Sequence, residues 1–145
     1  MSNSILFKQV SVASEDDSEL LVSDVLIEDG VIKSVSSDLK PSDNSRTIEA
    51  VGKVLLPGLY DVHVHFREPG QTSKETIATG TAAAINGGVT GVVAMPNTLP
   101  AIDSGGMVKS VLETARRDSR INFLTTGCIT KGRAGKEMAA ISGMK

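Results

Sequence analysis

The sequence holds a single cysteine, Cys128, among its 145 residues, so no disulfide can form within the chain. Disulfides are typical of oxidising compartments, and their exclusion favours a reducing one. An excess of one charge is also missing, because 15 Lys and Arg stand against 17 Asp and Glu. A chain with this balance lacks the basic footprint of a protein that binds nucleic acid or an anionic membrane.

Long apolar runs are absent as well. No stretch approaches the roughly 20 apolar residues that span a bilayer. The first ten residues show no basic region followed by an apolar stretch, so no secretory signal is visible. With 40% hydrophobic and 22% charged residues, the composition is that of a globular protein and not of a disordered one. We therefore expect a soluble, cytoplasmic protein with no nucleic-acid or membrane partner.

Residues 1–56 have the pattern of short strands. Leu20–Ile27 and Val31–Val35 are rich in β-branched residues and flank Asp29-Gly30, which predicts a β-hairpin. Two further short strands are expected at 47–50 and 53–56, with a loop over 36–46. The acidic cluster at Glu15, Asp16 and Asp17 is typical of a solvated turn.

From Pro57 onward, apolar strand-like runs alternate with helical segments, which predicts βαβ units and a parallel sheet. The first strand covers 59–66. Thr72 and Glu75 form a capping-box pattern before the first helix, which ends at Gly87-Gly88. A second helix is expected to begin near Asp103 or Ser104, and a third near Gly135.

The only two histidines lie in one strand pattern. Because side chains alternate along a strand, Asp61, His63, His65 and Arg67 share one face. Two imidazoles spaced this way can bind one metal ion, and Asp61 could fix a histidine tautomer behind them. The alternative is a half-exposed strand whose polar face meets water. In a parallel barrel both faces of a strand are covered, so the polar face favours a metal site at the carboxyl ends of the strands.

Asn97 and Arg67 are further candidates for the site. Asn97 follows a strand directly and could bind a carboxylate or amide, although a Pro-Asn pair by itself favours a simple turn. Arg67 could bind a carboxylate in bidentate fashion or pair with Glu68, and the pattern leaves both open. Cys128 is typical of a small buried filler. The basic, glycine-rich segment 130–136 lacks a phosphate-loop pattern and favours a solvated loop.

Taken together, the runs PGLYDVHVHFREPG and MPNT resemble the N-terminal portion of class I dihydroorotases, in the amidohydrolase superfamily. The upstream DVLIEDGVIKSV and the downstream TTGCITKGRAGKE are similar as well. The resemblance implies an α/β fold: the N-terminal part of a TIM-like (β/α)8 barrel of a metal-dependent hydrolase, preceded by strands of a small β-sandwich domain. The implied boundaries are 1–56 for the β-rich domain and 57–145 for about three βα units. The barrel is expected to be incomplete in this chain, because a full one takes roughly 250 residues.

The resemblance also implies zinc-dependent, reversible hydrolysis of dihydroorotate to N-carbamoyl-L-aspartate in pyrimidine biosynthesis. By position, His63 and His65 would be ligands of one or two Zn²⁺ ions, and His65, Arg67 and Asn97 would bind the substrate. The general acid/base and the remaining ligands are expected beyond Lys145, so the chain would need the remainder of its barrel and be inactive alone.

Two alternatives stay open. One is a non-catalytic dihydroorotase-like scaffold for a carbamoyltransferase, and the other is a related cyclic amidohydrolase such as allantoinase. Allantoinases tend to have Asn where this chain has Arg67. A homodimer and an aspartate carbamoyltransferase complex are both compatible with the resemblance.

Overall fold

The computed structural model describes residues 4–14, 18–41 and 45–145. The predicted acidic turn at 15–17, and residues 42–44 of the predicted loop, lie outside the described residues. The chain divides into two compact units, residues 1–57 and residues 58–145. Among the described residues, no helix is both long enough and apolar enough to cross a bilayer.

The first unit is built on one four-stranded mixed sheet. Its strands, in chain order, are β1 (Ser4–Ala13), β2 (Leu20–Glu28), β3 (Val31–Ser36) and β4 (Ser45–Glu49). The strand order is β3-β2-β1-β4, with β4 parallel to β1 and the other pairs antiparallel.

The predicted hairpin is confirmed. Asp29 and Gly30 have φ of 49° and 78°, the left-handed pair that a tight two-residue turn requires. The predicted strand at 53–56 is reduced to one bridge between Val54 and Ser11. The Ser11 N–H donates to the Lys53 carbonyl at 2.9 Å and the Leu55 N–H to the Ser11 carbonyl at 2.8 Å, and among the described residues the pairing of this segment extends no further.

A bulge in β1 is held by a buried carboxylate. Gln9 has a φ of 55°, and the pairing of β1 with β2 shifts register there. The Asp24 carboxylate accepts the Gln9 N–H and the Leu39 N–H, each at 2.9 Å, and the Lys8 ammonium at 2.6 Å. The pKa of Asp24 is lowered below its ordinary value of 3.8. The hydrogen bond from Lys8 is the largest cause, and the hydrogen bond from the Gln9 N–H is the next. One carboxylate therefore satisfies backbone donors that the bulge and the loop leave without sheet partners.

The second unit alternates strand and helix, as predicted. Its elements are β5 (Leu59–Val64), α1 (Ile77–Asn86), β6 (Val89–Ala94), α2 (Gly105–Asp118) and β7 (Asn122–Thr125). The three strands form a parallel sheet in the order β5-β6-β7. Helix α1 packs on β6, α2 packs on β7, and the two helices pack on each other. The apolar side chains that share this core are Phe66, Ile77, Val92, Ala94, Ile102, Val111 and Ala115.

Helix α2 begins where it was predicted, with Ser104 as its N-cap, but α1 does not have the predicted cap. The Thr72–Glu75 capping box is wrong. Instead the Thr76 side chain accepts the Thr79 N–H, and the Thr79 hydroxyl accepts the Thr76 N–H, each at 3.0 Å. The main chain before Thr76 is occupied by a turn in which Lys74 N–H binds the Gln71 carbonyl, so the helix begins later than the pattern indicated.

The predicted third helix near Gly135 is also wrong. The structure has short 3₁₀ helices at Lys131–Arg133 and Ile141–Met144 instead. Gly132 and Gly135 have φ of 56° and 71°, in the left-handed region, and an α-helix cannot continue through that conformation.

A Gly80→Ala substitution tests the close packing of α1 on the core. Alanine favours a helix over glycine, but a Cβ at Gly80 would lie 2.2 Å from the Phe66 ring. We expect a loss of about 1–3 kcal/mol in the free energy of unfolding, because the core is overpacked. The matched control is Gly106→Ala in α2, where a Cβ meets nothing within 4 Å. That change should leave stability unchanged or raise it by up to about 1 kcal/mol. Equal effects in denaturant titrations would contradict the packing argument.

An Asp24→Asn substitution tests the carboxylate that holds the β1 bulge. Because the folded pKa of Asp24 lies below 3.8, its ionised form stabilises the fold fully above that pH. This contribution is lost as the pH falls below 3.8 through the folded pKa. We expect Asp24→Asn to lower the urea midpoint at pH 7, and to flatten the acid limb of the stability profile. Glu113→Gln, at an exposed carboxylate of α2, is the control and should change neither. An unaltered acid limb in Asp24→Asn would show that Asp24 is not the group responsible.

Candidate active site

The candidate residues come together at the carboxyl edge of the parallel sheet. His65 directly follows β5, and Asn97 follows β6 after Met95 and Pro96. The ladder continues past both strand ends, because the Met95 N–H donates to the Val64 carbonyl at 2.9 Å. This pairing brings His65 and Asn97 side by side. The His65 Nδ1 atom lies 2.8 Å from the Asn97 side-chain oxygen, at hydrogen-bond distance.

The two imidazoles are neighbours on the exposed side of this segment. The ring centroids of His63 and His65 lie 5.1 Å apart at an interplanar angle of 65°. The residues between and after them point into the core: Val64 packs against it, and Phe66 is buried with its ring stacked on Phe123. The predicted alternation therefore holds for residues 63–66.

The predicted strand at 59–66 is shorter than expected. It ends at Val64, and the pairing with β6 is irregular between Asp61 and Val64. This irregularity interrupts the alternation, and Val62 is 66% exposed although Val64 packs on the core. His65 consequently lies in the loop that follows the strand, where its ring can approach Asn97.

Asp61 does not contact an imidazole ring as proposed from the sequence. Its carboxylate accepts the main-chain N–H of His63 at 3.0 Å. The side chain that meets an imidazole nitrogen is Asn97, for which the residue pattern by itself favoured a simple turn. The two are 32 positions apart in sequence, and no local signal reveals the contact. Only the expectation that neighbouring parallel strands share a carboxyl edge could have suggested it.

Arg67 is not paired with Glu68, so that alternative is wrong. The Glu68 carboxylate accepts the Ile77 N–H at 2.9 Å at the start of α1, where the helix dipole favours a negative charge. Across residues 4–14, 18–41 and 45–145, the half-buried Arg67 guanidinium has no hydrogen-bond or ion-pair partner. It remains available to an anionic ligand.

The loops that carry these residues are joined by their main chains. The Leu99 N–H donates to the Pro69 carbonyl at 3.2 Å. Gly70 has a φ of 91°, and a Cβ there would lie 1.7 Å from the Leu99 carbonyl oxygen. Only glycine allows the two loops to approach this closely. Arg67 and Asn97 are therefore held by loops that are in direct main-chain contact.

The remaining candidates are structural. Cys128 is buried, and burial, with the nearby Asp103 charge, raises the pKa of its thiol, as expected of a neutral filler. In the segment 130–136, predicted to be a solvated loop, Thr130 is half-buried and residues 131–136 are exposed. Lys131 pairs with Glu137, and the Gly132 N–H donates to the Asp103 carboxylate at 2.8 Å.

The donor set fits part of a zinc site. Imidazole nitrogen suits Zn²⁺, and two adjacent histidines supply two of the usual four ligands. Within the described part of the chain, no cluster of three or more His, Cys, Asp or Glu residues could complete such a site. His63 and His65 are accordingly a pair of ligands that requires further donors.

The solved structures that resemble this chain include hydantoinases. The L-hydantoinase (dihydropyrimidinase) from Arthrobacter aurescens matches 90% of this chain and 28% of its own, with a TM-score of 0.77 and 25% sequence identity. A D-hydantoinase (dihydropyrimidinase) from Thermus sp. shares the fold at a TM-score of 0.72, over 87% of this chain and 28% of its own. The second unit thus has the α/β architecture that opens a hydantoinase-type TIM barrel, with a three-stranded sheet and no closed barrel in the described residues.

Sequence comparison identifies the family. The model of the "Dihydro-orotase-like" family matches residues 52–145, so the chain belongs to the dihydro-orotase-like family. The dihydroorotase of Sulfurihydrogenibium sp. (strain YO3AOP1) is 44% identical over 122 residues, which is 84% of this chain and 29% of that protein. The dihydroorotase of Carboxydothermus hydrogenoformans is 43% identical over 97% of this chain and 32% of its own length. The chain therefore spans about a third or less of the curated relatives it matches.

A Gly70→Ala substitution tests whether the two loops are locked together. The added Cβ would both strain a positive φ and overlap the Leu99 carbonyl. Gly88→Ala is the matched control, because Gly88 has a φ of 82° but meets nothing within 4 Å. We expect Gly88→Ala to cost about 1 kcal/mol of stability, from backbone strain alone, and Gly70→Ala to cost more. Only Gly70→Ala should also alter the NMR signals of the His65 ring. Indistinguishable variants would argue against the loop contact.

Proposed function

We propose that this chain contributes to the active site of a zinc-dependent dihydroorotase, which hydrolyses dihydroorotate reversibly to N-carbamoyl-L-aspartate in pyrimidine biosynthesis. The observation that carries the proposal is the convergence of His63, His65 and Asn97 at one sheet edge. Arg67, two residues after His65, has no ion-pair partner among the described residues. The identity of 41–44% to proteins named dihydroorotase supports the choice of substrate. A cytoplasmic location agrees with the single cysteine.

In this proposal His63 and His65 hold zinc through their imidazole nitrogens. Dihydroorotases and hydantoinases are metal-dependent amidohydrolases, and the donor set described above suits two positions of a zinc site. When bound, zinc supplies a Lewis acid for an amide carbonyl and makes a hydrolytic water reactive near neutral pH. The proposal assigns the remaining ligands and the general acid/base to parts of the enzyme outside these 145 residues. Among the described residues, no third candidate ligand lies beside the pair.

Arg67 and Asn97 orient the substrate through its carboxylate. A guanidinium offers a rigid fork of N–H donors that matches a carboxylate in two parallel hydrogen bonds. Arg67 is free to do so because Glu68 is occupied by the N-terminus of α1. Asn97 offers its amide N–H groups, since its oxygen is engaged by His65. Their contribution is mainly positional, because a substrate fixed at its carboxylate presents its ring amide in one orientation.

The experiment is an assay of dihydroorotate hydrolysis in zinc-reconstituted protein. We expect activity from a polypeptide that continues this chain over the full length of its dihydroorotase relatives. The 145 residues on their own should be inactive, because two imidazoles alone bind zinc weakly and cannot transfer protons. Allantoin serves as the competing substrate. Preferential hydrolysis of allantoin would overturn the choice of substrate, and zinc-loaded protein inactive on both compounds would favour a non-catalytic scaffold.

Arg67→Lys in the full-length enzyme separates substrate binding from metal binding. Lysine keeps the charge but loses the bidentate fork. We expect KM for dihydroorotate to rise about tenfold, the equivalent of one lost charge-assisted hydrogen bond. Zinc content should be unchanged. A fall in zinc content with an unaltered KM would assign Arg67 to the metal site instead.

A further inference from the structure

The hydrogen bond between His65 and Asn97 determines which ring nitrogen of His65 carries the proton. A side-chain amide oxygen only accepts hydrogen bonds, so the proton of the 2.8 Å contact belongs to His65 Nδ1. A neutral imidazole carries one N–H. Nε2 therefore keeps its lone pair, which is the form that a metal ion requires.

The amide that makes this contact is held in place by its own loop. The Ile102 N–H donates to the Pro96 carbonyl at 3.2 Å, and the buried Thr98 hydroxyl donates to the Pro100 carbonyl at 2.7 Å. The Leu99 N–H reaches the Pro69 carbonyl in the loop after His65. Because the main chain is bonded on both sides of Asn97, little entropy remains to be lost when its amide meets the ring.

His63 differs from His65 in this respect. Within the described ranges, the His63 ring has no side-chain hydrogen-bond partner, and Asp61 binds its main chain. Asn97 therefore lies where its oxygen can select one tautomer of His65, whereas within the described ranges no side chain lies in such a position at the His63 ring.

We propose that Asn97 is a positioning residue that selects the Nδ1–H tautomer of His65 and so presents Nε2 to the metal. The inference rests on the proposed function, since it takes His65 as a zinc ligand, and it gives Asn97 a role beyond contact with substrate. Metal-bound histidines generally donate their second N–H to a carboxylate or carbonyl oxygen, which fixes the ring and raises its basicity. Here a carboxamide from the next strand end supplies that oxygen.

Two substitutions at position 97 separate this role from substrate binding. Asn97→Asp keeps an oxygen acceptor for His65 Nδ1–H but removes the amide donors and places a negative charge where a carboxylate would bind. Asn97→Ala removes both functions. We expect Asn97→Asp to retain zinc affinity while KM for dihydroorotate rises sharply. Asn97→Ala should weaken the binding of both zinc and substrate. Zinc affinity should fall about 10–100-fold, as is usual when the hydrogen-bond partner of a metal-bound histidine is removed.

The tautomer itself is read by ¹⁵N–¹H multiple-bond NMR of the full-length, zinc-free protein with ¹⁵N-labelled histidine. The pH is kept well above the ordinary histidine pKa of about 6.5, and the His65 signals are assigned by their loss in His65→Gln. The native protein and Asn97→Asp should show the Nδ1–H form, whereas Asn97→Ala should show the Nε2–H form or a mixture. Asn86→Ala is the control, because among the described residues the Asn86 side chain bonds only within α1, to the Ala82 carbonyl.

The outcomes distinguish this inference from the proposed function. If the native protein shows His65 in the Nε2–H form, or if Asn97→Ala keeps both the Nδ1–H form and native zinc affinity, the role of Asn97 is wrong. If the native protein and Asn97→Asp show the Nδ1–H form but neither binds zinc, both the proposed function and the presentation of Nε2 to a metal fail. If Asn97→Asp retains the zinc affinity that Asn97→Ala loses, but not the binding of substrate, Asn97 has both the positioning role and the role in substrate binding.

Discussion

The register of β5 against β6 determines where every residue of the candidate site lies. The hydrogen bond from the Met95 N–H to the Val64 carbonyl extends the parallel ladder beyond the last residue of each strand. The residues that follow, His65 and Asn97, are therefore neighbours although 32 positions separate them. A shift of one residue would exchange the buried and exposed sides of the segment, and would place Phe66 where the imidazole now lies.

One short segment thus connects the core with the site. His63 and His65 lie on the exposed side, while Val64 and Phe66 pack on the core of the second unit. The Phe66 ring lies so close to α1 that a Cβ at position 80 would lie 2.2 Å from it. Glu68, just beyond, accepts the first N–H of α1. The path of the main chain over residues 63–68 therefore determines both how α1 packs and where the two imidazoles lie.

The features that the sequence predicted correctly depend on local or periodic interactions. Asp29-Gly30 adopts the left-handed turn that joins β2 and β3, and Ser104 caps α2. The alternation of strands and helices after Pro57 is confirmed because it reflects a repeated burial pattern. The errors arise where several local patterns compete: Thr72 and Thr76 are both plausible caps, and the loop hydrogen bonds select Thr76.

The candidate site was only partly predictable for a different reason. The residues of the site could be identified in the sequence, as two histidines, an arginine and an asparagine near strand ends. The contact between His65 and Asn97, in contrast, depends on the pairing of strands distant in sequence. The Glu68 contact with the Ile77 N–H also spans several residues, whereas the Asp61 contact with the His63 N–H is the local one that an Asp side chain commonly makes two residues on. The assignment of these residues to metal and substrate stays a prediction, because it concerns groups that bind to the protein.

The electrostatics of the segment favour an anionic ligand. Residues 58–70 contain two carboxylates, Asp61 and Glu68, and each accepts a main-chain N–H. Arg67 has no such partner among the described residues, and bound zinc would add further positive charge. The two imidazoles are neutral ligands and cannot offset that charge. Arg67 is therefore the cationic group of this segment that an anionic ligand would meet. This charge pattern agrees with the carboxylate-bearing substrate that is proposed above.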